Sequence, residues 1–138
     1  MYYQSLPHRS HWSPELSWGS AISPDLVHWE EQDPVLDPQP FELGCWSGCV
    51  VTDESGLSRA FYTRVHAQER DLGQIAVARQ PAPDQAFRSA PEDAVIVAPP
   101  SNLDVTAFRD PFVWFDEDHW SIVVGAGLGD GCGAVAPY

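Results

Sequence analysis

Lysine is absent from this 138-residue chain, and seven arginines stand against twenty acidic residues, for a formal net charge of −13. So acidic a surface repels phosphate backbones and anionic headgroups, which argues against nucleic acid and membrane as partners. It does not repel a neutral ligand such as a sugar. Cysteine is scarce too. Cys45, Cys49 and Cys132 make an odd number without a C-x-x-C pair, so neither a disulfide framework nor a structural zinc site is expected. They read as reduced thiols or small buried residues. No apolar run approaches the roughly 18 residues of a membrane span. The start, Met1-Tyr2-Tyr3-Gln4-Ser5, has no basic end followed by an apolar stretch and does not read as a secretory signal. The compartment stays open, with the cytoplasm favoured over secretion.

Helix signals are nearly absent as well. Thirteen prolines and ten glycines leave few uninterrupted windows, and short apolar or alternating runs lie between turn residues. The clearest strand candidates are 45–52, 58–63, 74–78, 94–98, 112–115 and 120–124. Aromatics at 12% and apolar residues at 43% are enough for the packed core of one domain.

The runs repeat. Val50–Gly56 turns into Leu57–Thr63, and later Val113–Asp118 turns into His119–Gly125, each a hairpin with an acidic turn. Gly19–Ser23 leads to Pro24-Asp25, as Gly73–Ala78 leads to Pro83-Asp84, and Gly133-Ala134-Val135-Ala136 begins a third copy. Gly19, Gly73 and Gly133 recur at spacings of 54 and 60 residues. That period, with about four strands per unit, fits the blade of a β-propeller; an irregular β-sandwich is the competing all-β reading. On the blade reading the chain supplies about two to two and a half blades, fewer than the roughly four to eight that close a propeller. A fragment is therefore expected.

Two segments carry candidate chemistry. In Phe108-Arg109-Asp110-Pro111, the proline is expected to push Asp110 toward an extended backbone at the head of a strand. Arg109 and Asp110 should then point to opposite sides. A nearby arginine favours the ionised carboxylate, which accepts strong hydrogen bonds from two adjacent sugar hydroxyls. A purely structural Arg–Asp turn fits the spacing at least as well. In Gly44-Cys45-Trp46-Ser47-Gly48, an aromatic beside a hydroxyl suits a sugar-binding wall. Trp46 packed between blades is the alternative. Gln4 and Trp12 extend this aromatic, amide-bearing set.

Together these segments resemble glycoside hydrolase family 32, the β-fructofuranosidases, which include invertases, sucrose-6-phosphate hydrolases, inulinases and levanases. Tyr2-Tyr3-Gln4 is similar to the family's F-Y-Q. Trp18-Gly19-Ser20-Ala21 and Ser23–Trp29 are similar to its W-G-H-A and S-x-D-L-V-H-W. Cys45-Trp46-Ser47-Gly48-Cys49 is similar to F-S-G-S, Phe61-Tyr62-Thr63 to F-Y-T, and Phe108-Arg109-Asp110-Pro111 matches F-R-D-P. Ser20, Trp46 and Cys49 depart from the family's usual His, Phe and Ser.

The resemblance implies an all-β fold: a partial five-bladed β-propeller, with residues 1–138 a single piece of the N-terminal catalytic domain. It implies hydrolysis of terminal β-fructofuranosides, sucrose or fructans, with retention of configuration. Asp110 would stabilise the transition state, Arg109 would support it, and Gln4, Trp12, Trp46 and Ser47 would line the fructose pocket. The family's Asp nucleophile belongs to a W-M-N-D-P-N-G stretch ahead of F-Y-Q, and its acid/base Glu to an E-C motif. Neither is found here, so the fragment alone is expected to be inactive. No cofactor or metal is expected: His8, His11, His28, His66 and His119 lack metal-ligand spacing, and Asp116-Glu117-Asp118 reads as a turn. A related five-bladed family (arabinanases and xylosidases of family 43, or levansucrases) and a non-catalytic carbohydrate-binding module are the alternatives. Oligomeric state is left open.

Overall fold

The computed structural model describes residues 1–6, 9–116 and 119–138. His8, and Glu117-Asp118 of the second acidic turn, lie outside the described residues. Three small antiparallel units follow one another along the chain. The first is β1 (Tyr2–Ser5), β2 (Ser17–Ile22) and β3 (Glu30–Glu31), in that order. The second is a four-stranded meander of β4 (Gly44–Thr52), β5 (Ser58–His66), β6 (Glu69–Arg79) and β7 (Ala94–Ile96), with a 3-10 turn at Pro91–Asp93. β8 (Val105–Asp116), β9 (His119–Leu128) and β10 (Gly133–Pro137) form the third. The second and third units join through the parallel pair Leu72↔Phe108.

Successive side chains on a strand face opposite ways, and the middle unit is covered on both sides. Ala60, Tyr62, Ala76 and Ala78 pack with Trp18 and Leu36 of the first unit and its connection. The opposite parity, Phe61 and Val77, packs with Val113 of β8, while Ile75 packs with Phe108 and Val124. This two-sided burial explains the unbroken apolar runs Ala60–Tyr62 of β5 and Ile75–Ala78 of β6. Small sheets stacked face to face in chain order are propeller blades. The fold is all-β, one four-stranded blade flanked by two three-stranded ones.

The repeat maps onto this order. Gly73 and Gly133 lie on β6 and β10, the strands that follow the β4–β5 and β8–β9 hairpins. Gly19 lies on β2, whose following Pro-Asp turn matches that after β6. Each of those turns contains a left-handed residue, Leu26 at φ 63° and Asp84 at φ 60°. In the β4–β5 turn, Gly56 has φ 82°, and the Asp53 carboxylate accepts from the backbone N–H of Ser55 and Leu57. Arg59 closes on the same carboxylate at 2.7 Å.

One ionic latch is fully buried. Arg64 Nε donates to Glu42 Oε1 at 2.8 Å, and the two side chains are 1% and 0% exposed. The other guanidinium nitrogens donate to the carbonyls of Ala90 and Pro91 and to Ser89 Oγ. Tyr62 donates to Glu42 Oε1 as well. Burial and the adjacent Glu42 push the Tyr62 phenol up, so it stays a neutral donor. The latch fastens the 3-10 turn to the middle blade.

Candidate active site

The site is built where two strands leave their ladders. Between Trp46 and Gly48 the pairing of β4 with β5 slips by one residue, and Ser47 is left without a cross-strand partner. Only glycine fits after it: a Cβ at residue 48 would lie 1.9 Å from the Phe61 carbonyl oxygen. β8 carries its own irregularity between Arg109 and Phe112.

Asp110 stands in that second irregularity with φ 61°. This corrects the expectation of an extended residue at the head of a strand, since Asp110 is left-handed and in mid-strand. The following proline disfavours the right-handed helical region, and Asp is among the residues that tolerate the left-handed one. What selects it is a tertiary bond: Asp110 N–H donates to Thr63 Oγ1 at 2.8 Å. Arg109 and Asp110 do not point to opposite sides either. Arg109 Nε lies 3.7 Å from Asp110 Oδ2, an ion pair longer than a hydrogen bond, with side chains 42% and 55% exposed. Solvent screens such a pair.

The Thr63 hydroxyl donates in turn to the Ser47 carbonyl at 3.1 Å. The two irregular segments are thus linked through one buried threonine. Val113 N–H donates to Cys49 Sγ at 3.2 Å and ties β8 to β4 a little further along. Burial pushes the Cys49 thiol up, so it remains protonated.

Gln4 pairs with Trp18 across β1 and β2 and is exposed. With Ser47, Gly48 and Cys49 it lines a cleft of about 520 Å³ between β1 and β4. Asp110, Arg109, Trp12 and Trp46 are not on that lining. Trp12 and Trp46 form a pair of their own, edge to face with centroids 6.0 Å apart. The Trp46 indole N–H donates to the Pro14 carbonyl at 2.8 Å, and the Trp18 indole N–H donates to the Trp46 carbonyl. Trp46 is half-buried and Trp12 is 65% exposed. Trp46 is therefore anchored as a core residue would be, yet keeps open ring surface.

Of the expected residues, the structure links Asp110 to Ser47, Ser47 to Gln4 across one cleft, and Trp46 to Trp12. Thr63 and Cys49 were not singled out as site residues by the sequence. Thr63 had a signal, as the last residue of the F-Y-T segment. Among the described residues no group of three or more His, Cys, Asp or Glu side chains is placed to hold a metal ion.

Comparison with known proteins bears on the same chain. The model for the N-terminal domain of glycosyl hydrolases family 32 matches residues 1–138. The insoluble β-fructofuranosidase isoenzyme 7 of Oryza sativa subsp. indica is 34% identical over 145 residues, covering 100% of this chain and 24% of that protein. The sucrose-6-phosphate hydrolase structure from Lactobacillus gasseri superposes with a TM-score of 0.83 at 26% identity, over 99% of this chain and 28% of that one. A mutant of the Bombyx mori GH32 β-fructofuranosidase in complex with sucrose gives 0.80 at 28% identity, over 99% and 29%. The chain thus spans about a quarter of the length of the curated relatives it matches. Matched along its whole length, it belongs to the glycosyl hydrolase family 32 N-terminal domain family.

Proposed function

We propose that this chain supplies fructose-holding residues to a retaining β-fructofuranosidase acting on sucrose or a fructan, as one part of its N-terminal catalytic propeller. The observation that carries the reading is the bonded path from Asp110 N–H through Thr63 to the Ser47 carbonyl. It ties the backbone of Asp110, whose side chain is 55% exposed, to the backbone of Ser47. The names of the relatives, and the sucrose in the Bombyx mori complex, support the substrate class.

In this reading Asp110 accepts hydrogen bonds from two adjacent fructose hydroxyls, and these strengthen as the ring becomes oxocarbenium-like. Arg109 lies beside the carboxylate, with Nε 3.7 Å from Asp110 Oδ2. Gln4 and Ser47 bind further hydroxyls from the cleft side, and the Trp12–Trp46 pair offers apolar ring surface to the sugar's C–H faces. Retention needs two further carboxyls about 5–5.5 Å apart, one attacking and one protonating the leaving oxygen. The cleft lining among the described residues contains no carboxylate. The 138-residue chain by itself is accordingly expected to release no fructose from sucrose above an Asp110→Ala control.

The test is Asp110→Asn in the full-length protein, followed by fructose release from sucrose and from a fructan. The expected result is a fall in kcat of roughly 10²–10³-fold, as for loss of a transition-state hydrogen-bonding group. A variant within a few-fold of wild type overturns the assignment.

A further inference from the structure

The geometry points to Thr63 as a positioning residue of this site, a single buried hydroxyl that fixes Asp110 and Ser47 relative to each other. The argument starts from the two bulges. Ser47 has no partner in the β4–β5 register, and Asp110 has none in the β8–β9 register. Their backbone groups have therefore left the sheet ladders and need partners elsewhere. A hydroxyl offers one donor and two acceptor lone pairs. Thr63 uses the donor on the Ser47 carbonyl at 3.1 Å and accepts the Asp110 N–H at 2.8 Å.

Thr63 is also held in place. It is 0% exposed on β5, paired to Trp46 on one side and to Ile75 on the other. A β-branched side chain has few rotamers. Gly73 makes room for the one adopted, since a Cβ there would lie 2.4 Å from Thr63 Cγ2. The hydroxyl can thus hold the left-handed Asp110 and the Ser47 bulge in one arrangement.

The kinetic consequence rests on the fructosidase reading; the bonding consequence does not. If Asp110 stabilises the transition state, a small displacement of its carboxylate costs more there than in the ground state, so kcat falls while KM holds. Thr63→Val keeps shape and removes the hydroxyl. Thr63→Ser keeps the hydroxyl and removes the methyl.

The experiment compares wild type, Thr63→Val and Thr63→Ser in the full-length protein. Two readouts are taken: steady-state kinetics on sucrose, and hydrogen exchange at the Asp110 amide by NMR. For Thr63→Val the expectation is a kcat lower by about 10-fold or more with KM within about 2-fold, and Asp110 exchange faster by about 10-fold. Thr63→Ser should return both to within about 3-fold of wild type. The inference is overturned if Thr63→Val keeps wild-type kcat, or if the serine variant loses as much as the valine. If wild type itself releases no fructose, the fructosidase reading fails separately. Amide exchange then decides alone: faster only in Thr63→Val supports the pin, and unchanged exchange overturns it.

Discussion

A left-handed aspartate in the middle of a strand needs a cause, and at Asp110 it is one hydrogen bond from a residue far along the chain. Glycine would adopt φ 61° without a penalty, whereas an ordinary β-carbon costs roughly 1–2 kcal/mol there. In urea unfolding, Asp110→Gly is therefore expected to be as stable as wild type or more so, and Asp110→Ala less stable by about 1 kcal/mol. Both should lose activity, because the carboxylate is gone. Equal stability of the two variants would contradict the account. The candidate residues themselves were legible as motifs, since F-R-D-P and W-S-G mark Asp110, Arg109, Trp46 and Ser47. Their conformation was not. The proline rule describes a local preference, and the Thr63 contact that overrides it spans 47 positions.

At the scale of elements, hairpins were the readable part. Alternating apolar positions around Asp53–Gly56 place β4 to within one residue and the start of β5 at Ser58, because local turn chemistry and side-chain parity both act there, while β5 runs on to His66, three residues past the expected end. Hydrogen bonds from Ser55, with support from Arg59, hold the Asp53 carboxyl down at about 2. A carboxyl lowered in the folded state contributes stability above its unfolded value and loses it as pH falls toward about 2. Asp53→Asn should thus be less stable than wild type at pH 5 and converge on it in strong acid. A difference at pH 2 as large as that at pH 5 would contradict the turn's role. Bulges were not readable, because one unpaired residue leaves no period of its own in the sequence. Gly48→Ala probes the first directly: with 1.9 Å to the Phe61 oxygen, the β4 bulge must shift, and the variant should fold poorly or not at all.

The Arg64–Glu42 latch also went unread, since neither residue's spacing hints that Glu42 meets β5 inside the core. Removing one partner leaves a buried charge alone. Arg64→Met is expected to cost about 3–5 kcal/mol in urea unfolding. A cost below about 1 kcal/mol would mean that the pair is not buried as described.

Across the whole molecule, the repeat of Gly19, Gly73 and Gly133 carried the fold. These glycines fall on β2, β6 and β10 of successive units, and a Pro-Asp turn follows the first two strands. The N-terminal domain of the family is a five-bladed β-propeller, and the three stacked units here follow that design. How blades converge on a site is a matter of tertiary packing, which is why the roles of Thr63 and Cys49 emerge only from coordinates, although Thr63 ends the F-Y-T segment.

A crystal structure of the full-length protein with bound fructose tests the central claim most directly. The account predicts two adjacent ring hydroxyls within about 2.6–3.0 Å of the Asp110 carboxylate, with the sugar lying against the Trp46–Ser47 segment. Fructose bound elsewhere, with Asp110 pointing into bulk water, would contradict it.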